Sequence, residues 1–131
     1  MTSFEAANTV FFNVMKEMKE NGEFEQLKDD VMKFEKGGII PEWNIDEDVE
    51  STVDIVNGYF YDHFVDKMNA MVIIFVNEEL TELLKSKTGD KKSDEYKDFT
   101  ADFLMNKFID DSIDYYFELA KLYAEDLKKN C

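Results

Sequence analysis

Arginine is missing from this chain altogether; all fifteen of its basic residues are lysines. Arginine grips phosphate and carboxylate through paired hydrogen bonds, so a nucleotide or nucleic-acid site built on guanidinium forks is excluded. The only cysteine is Cys131, the last residue, which rules out an internal disulfide and points to a reducing, cytoplasmic setting. The only histidine is His63, so neither a Ser-His-Asp or Cys-His site nor a di-iron site with two Glu-x-x-His motifs can be assembled. At about 100° per residue His63 falls at the margin of the face carrying Phe60 and Phe64, which predicts a hydrogen-bonded histidine at the core edge. The longest apolar run, 70–76, is far below the roughly 18 residues of a membrane span. No basic segment followed by an apolar stretch opens the chain, so neither export nor membrane anchoring is expected.

What remains is acid and hydrocarbon. Thirty Asp and Glu leave a formal net charge of −15 on 131 residues, while 44% of the residues are apolar and 15% aromatic. Rings interleaved with charges exclude a disordered acidic tail; one acidic helical domain over 1–131 is expected. Such a surface repels nucleic acid and anionic lipid, so its partners are cationic. The magnitude exceeds the roughly 2 to 8 that solubility explains, and it costs stability through self-repulsion.

Helical periodicity runs through most of the chain. Thr2 and Glu5 have capping-box spacing ahead of Phe4, Ala7, Phe11, Val14, Met15 and Met18, with a stop at Asn21-Gly22. Phe24, Leu27, Val31 and Phe34 define a second helix from Glu23 towards Gly37-Gly38. Gly37 to Asn44 holds the only proline, Pro41, beside Trp43, and reads as a loop whose ring either plugs the bundle or projects to a partner. Asn44 and Glu47 have capping spacing before a long helix carrying Val49, Val53, Val56, Phe60, Phe64, Met71 and Phe75. Gly58 and Asn77 are its expected break points, and Ala70 to Val76, apolar on all sides, is its expected deepest portion. After a polar loop, Ser86 to Ser93, capped by Ser93, the chain is helical from Asp94 to about Lys129. The fold class that follows is all-α, a bundle of four to five helices.

Two arrangements of carboxylates carry functional readings. Glu78-Glu79-x-x-Glu82 is followed by Glu95-x-x-Asp98, and the pairs Glu79/Glu82 and Glu95/Asp98 each share one face of a helix on either side of the polar loop. This resembles the carboxylate signature of the all-α nucleotide pyrophosphohydrolases of the MazG type. The resemblance spans about twenty residues, and no arginine accompanies it. It implies that Glu79, Glu82, Glu95 and Asp98 bind magnesium against a nucleoside triphosphate, with catalysis as the alternative reading.

The second is a row on the last helix. Asp111, Asp114, Glu118 and Glu125 fall within about 60°, opposite Leu104, Phe108, Ile109, Ile113, Tyr116, Leu119 and Tyr123. Asp54, Asp62 and Asp66 add charge on the long middle helix, and Asp46-Glu47-Asp48-x-Glu50 adds more before it. Acids about 5 to 6 Å apart on a rigid helix approach the interval between phosphates along a strand. The leading reading is therefore a binding protein without catalytic residues, metal or cofactor. It is an acidic inhibitor covering the basic surface of a nucleic-acid-binding enzyme or toxin, using Asp111, Asp114, Glu118, Glu125, Asp54, Asp62, Asp66 and Trp43. Its class resembles antirestriction, anti-CRISPR and toxin-immunity proteins, without a shared motif. The AT-rich composition suits a bacterium of low GC content or one of its phages, and Tyr61 is a further candidate ring for contact.

Overall fold

The computed structural model describes residues 2–37, 49–86 and 94–130, with 83–86 and 94–100 described in backbone only. Four helices account for them: α1 (Ser3–Asn21), α2 (Glu23–Glu35), α3 (Thr52–Ser86) and α4 (Asp94–Lys129). The class is the all-α bundle that the periodicity predicts.

The first hairpin follows from local chemistry. The Thr2 hydroxyl accepts the Glu5 N–H at 3.1 Å, and the Glu5 carboxylate reaches back to the Thr2 N–H, closing a capping box. Gly22, at φ +86°, ends α1 in the left-handed region that disfavours any β-carbon, and α2 starts at the next residue. The Asn21 carboxamide oxygen accepts the Glu23 N–H at 3.0 Å, which fixes the corner.

The start of α3 differs from the sequence reading. Its helix begins at Thr52 rather than at an Asn44 cap, because Asp54 takes the capping role: its Oδ2 accepts the N–H groups of Glu50 at 2.9 Å and Ser51 at 3.0 Å. Asn44, Glu47, Pro41 and Trp43 lie outside the described residues, as does Ser93. Neither Gly58 nor Asn77 breaks α3, which runs unbroken for 35 residues.

Length decides how the layers overlap. At about 1.5 Å per residue, α1 spans some 28 Å, whereas α3 and α4 each exceed 50 Å. Ser3 lies beside Ser112, Phe4 beside Tyr115 and Phe11 beside Tyr123, so α1 runs in the same direction as the second half of α4. At the heart of the core Phe11 stacks on Phe60 at 4.8 Å, with Phe64 against Tyr116 at 4.7 Å. Small buried residues on α4, Ser112, Ala120 and Ala124, extend this core. Among the described residues the buried set ends at Val76 on α3 and begins at Phe108 on α4.

That overlap overturns one expectation. Ala70 to Val76 is not the deepest portion of α3: Val72, Phe75 and Val76 are buried, but Ile73 and Ile74 are 58% and 68% exposed. Neighbouring helices cover only part of a helix surface, and among the described residues nothing buries the side of α3 that carries Ile73 and Ile74.

Among the described residues one charged side chain is wholly buried. Asp30 sits on the inner face of α2, where it accepts hydrogen bonds from the Tyr59 hydroxyl and from Gln26 Nε2 at 3.0 Å. Thr52 donates to Glu35 nearby, so paired polar groups tie α2 to the start of α3. His63, expected at the core edge, is instead exposed, with its Nε2 3.8 Å from a Glu23 carboxylate oxygen. It occupies the α2 side of α3, where Glu23 begins α2 and leaves the imidazole open to water.

Candidate partner-binding face

Helix α4 packs against both α1 and α3, and its outward face carries the predicted acidic row. Asp111, Asp114, Glu118 and Glu125 are all exposed. At about 1.5 Å per residue the first three are separated by roughly 4.5 and 6 Å along the axis, while Glu125 stands about 10.5 Å beyond Glu118. That gap holds the exposed Lys121, and Lys128 approaches Glu125 at 3.9 Å. Among the described residues no ion pair involves Asp111, Asp114 or Glu118. The row is thus three uncompensated carboxylates followed by a mixed segment, not four evenly spaced charges.

Rings border the row on both sides. Phe117, on the α3 side, stacks on Tyr61 at 5.8 Å, so Tyr61 is half-buried in the α3–α4 seam rather than free for contact. On the α1 side Tyr115 meets the edge of Phe4 at 5.2 Å. Phe12 and Leu122, the sequence neighbours of the contacting pair Phe11 and Tyr123, are 62% and 68% exposed. The sequence reading missed these flanking apolar residues because it sorted α4 into an acidic and an apolar face and left Tyr115, Phe117 and Leu122 on neither. The signal was present: Tyr115, Phe117 and Leu122 fall within about 60° of the acidic sector on the same wheel, and so does Leu104, which the reading had placed opposite the acids.

The remaining candidates divide. Asp62 is exposed beside the Tyr61 seam, close enough to help raise the Tyr116 hydroxyl, whose shift comes first from burial, then from Tyr61 and Asp62. Asp66, one turn on, is exposed beside Lys67, which pairs with Glu17 of α1 at 2.6 Å. Asp54 is committed to capping α3 and is half-buried, which leaves little of it for a partner. Trp43 lies outside the described residues.

The carboxylates of the alternative reading are only partly visible. Glu79 and Glu82 are exposed near the end of α3, and the side chains of Glu95 and Asp98 fall outside those described. Helices α3 and α4 do form the neighbouring pair on which that reading depends. Among the described residues no group of three His, Cys, Asp or Glu is placed to hold a metal ion. Glu79 borders an open hollow of about 230 Å³ with Thr2, Lys107 and Asp111. No described helix is long and apolar enough to cross a membrane. Comparison with known proteins yields no match among family models, curated proteins or solved structures.

Proposed function

We propose that this chain is a binding protein that occupies the basic, nucleic-acid-contacting surface of a target protein, as an inhibitor of an enzyme or a cover for a toxin. Anti-defence proteins of phages are the group whose role matches this chemistry. The observation that carries the reading is the outward face of α4, where Asp111, Asp114 and Glu118 stand exposed and unpaired on a rigid helix in a chain of net charge −15. Holding like charges together is unfavourable in isolation, and a cationic partner reverses the sign of that contribution.

The test is displacement. Immobilised protein is exposed to a heparin-binding fraction of source lysate, and retained proteins are challenged with duplex DNA, RNA and salt. A specific target leaves on addition of nucleic acid, and its retention falls steeply with salt. Changing Asp111, Asp114, Glu118 and Glu125 to lysine abolishes retention while the helical spectrum persists. The same change at Glu20, Glu23, Glu25 and Asp29 has a smaller effect, since Glu25 and Asp29 already pair with Lys28 and Lys33. Retention that nucleic acid cannot displace refutes the mimicry, and equal losses from both sets reduce it to net charge.

A further inference from the structure

The exposed apolar residues on the α1 side of the acidic row form a feature that charge mimicry does not use. Phe4, Phe12, Tyr115 and Leu122 are each at least 40% exposed. With about 200 Å² per large side chain, they present roughly 400 Å² of hydrocarbon, the size of the largest and often functional patch on a typical monomeric protein. Phe4 and Tyr115 touch across the line where α1 and α4 run in the same direction, and Phe12 and Leu122 stand exposed about two turns further along the same two helices, with Asp111, Glu118 and Glu125 on the α4 border. Tyr115 and Leu122 are seven residues apart on α4, two helical turns, and Phe4 and Phe12 are eight apart on α1.

We infer that this α1–α4 face receives a basic amphipathic helix of a partner protein. Three arguments select that occupant. The bordering carboxylates and the net charge of −15 oppose nucleic acid, anionic lipid and a second copy of this chain, and favour lysine or arginine flanking an apolar stripe. Helix backbones are internally hydrogen-bonded, so the face has no edge to which an extended strand can add. The two-turn spacing matches the i, i+7 repeat of a helix laid along a groove between two helices. The inference takes from the proposed function only the positive charge of the partner; nucleic-acid-binding proteins commonly present such helices.

The probe is a synthetic helix of about 18 residues with leucine on one face and lysine on the other. Its controls are a scrambled peptide of identical composition and an oligolysine of equal charge. Binding is followed by fluorescence anisotropy and peptide helicity by circular dichroism. The amphipathic peptide gains helix on binding and binds at least about tenfold more tightly than either control. Phe12→Ser with Leu122→Ser weakens it by about tenfold or more, at both low and high salt. Ile73→Ser with Ile74→Ser, which removes apolar surface from the outer side of α3, leaves it unchanged. Equal binding of the scrambled peptide or oligolysine, or a loss that follows Ile73 and Ile74, overturns the inference. So does a concentration-dependent dimer dissolved by the Phe12 and Leu122 changes, which assigns the face to a second copy. No nucleic-acid-binding target enters this measurement, so its failure leaves the displacement result standing, and the reverse also holds.

Discussion

Tyr116 and Tyr123 lie seven residues apart on α4, both turned inward, and removing their hydroxyls has opposite effects. The Tyr116 hydroxyl donates to Asn57 Oδ1 at 2.8 Å, whereas the Tyr123 hydroxyl is buried without a hydrogen-bond partner among the described residues. Tyr116→Phe deletes a hydrogen bond and leaves the Asn57 oxygen short of a donor, a loss of about 1–2 kcal/mol. Tyr123→Phe keeps the ring against Phe11, Phe24 and Phe60 while removing a desolvated polar group, a gain of about 1 kcal/mol. For a chain of this length 1 kcal/mol corresponds to about 3–5 °C in Tm, so the two variants separate by about 6–15 °C. Thermal and urea unfolding followed by far-ultraviolet circular dichroism near neutral pH measures both. Alkali supplies a second reading. Burial, aided by Asp126, pushes the Tyr123 hydroxyl up to about 12, above its value in the unfolded chain. A raised folded pKa means that the neutral hydroxyl's stabilising share is intact below about pH 10 and is lost as pH rises towards 12. Tyr123→Phe therefore loses less stability than the parent across that window. Destabilisation of both variants by similar amounts refutes the assignment of one hydroxyl as paired and the other as orphaned.

Self-repulsion among the carboxylates predicts that Tm rises with added salt in the absence of any partner, most steeply up to about 0.15 M, where screening shortens to about 8 Å. A flat response in differential scanning calorimetry contradicts it. For the alternative enzymatic reading, a panel of nucleoside triphosphates with Mg²⁺ or Mn²⁺ is expected to show no pyrophosphate release. Turnover that disappears in Glu82→Gln replaces the binding reading with metal-assisted hydrolysis.

Local signals in the sequence located the helices because each is defined within a few residues. Thr2 with Glu5 opens α1, Gly22 separates α1 from α2, and the 24, 27, 31, 34 spacing places Leu27 and Val31 inward. Competing signals of equal local quality misled at α3: Asn44/Glu47 and Ser51/Asp54 have the same spacing, and the described helix begins after Ser51, whose N–H bonds to Asp54. Burial was legible where one face is plainly apolar and failed where it depends on neighbours. Ile73 and Ile74 belong to an all-apolar stretch, yet no described helix lies over them. Asp30 was hidden for the converse reason: its position continues the inner face of α2, but nothing in its own segment announces Tyr59, 29 residues away. The acidic row on α4 was readable from the wheel alone. Its apolar border was not, because the partners that hold Phe4 and Tyr115 at the surface come from opposite ends of the chain.

The contact of Ser3 with Ser112, 109 residues apart, has a consequence for how the chain acquires its structure. Helix α1 is synthesised about a hundred residues ahead of two of the side chains that enclose Phe11, Tyr116 and Tyr123. During synthesis α1 and α2 therefore wait as a hairpin with Ala7, Val10, Phe11 and Val14 uncovered, and the core closes only when the second half of α4 arrives. Helical bundles with sequential neighbours fold quickly because most contacts are local; here the decisive ones span most of the chain, which raises the contact order and slows the final step. Loop-closure entropy grows only logarithmically with that separation, so the delay falls on the rate of folding and barely touches the depth of the native well.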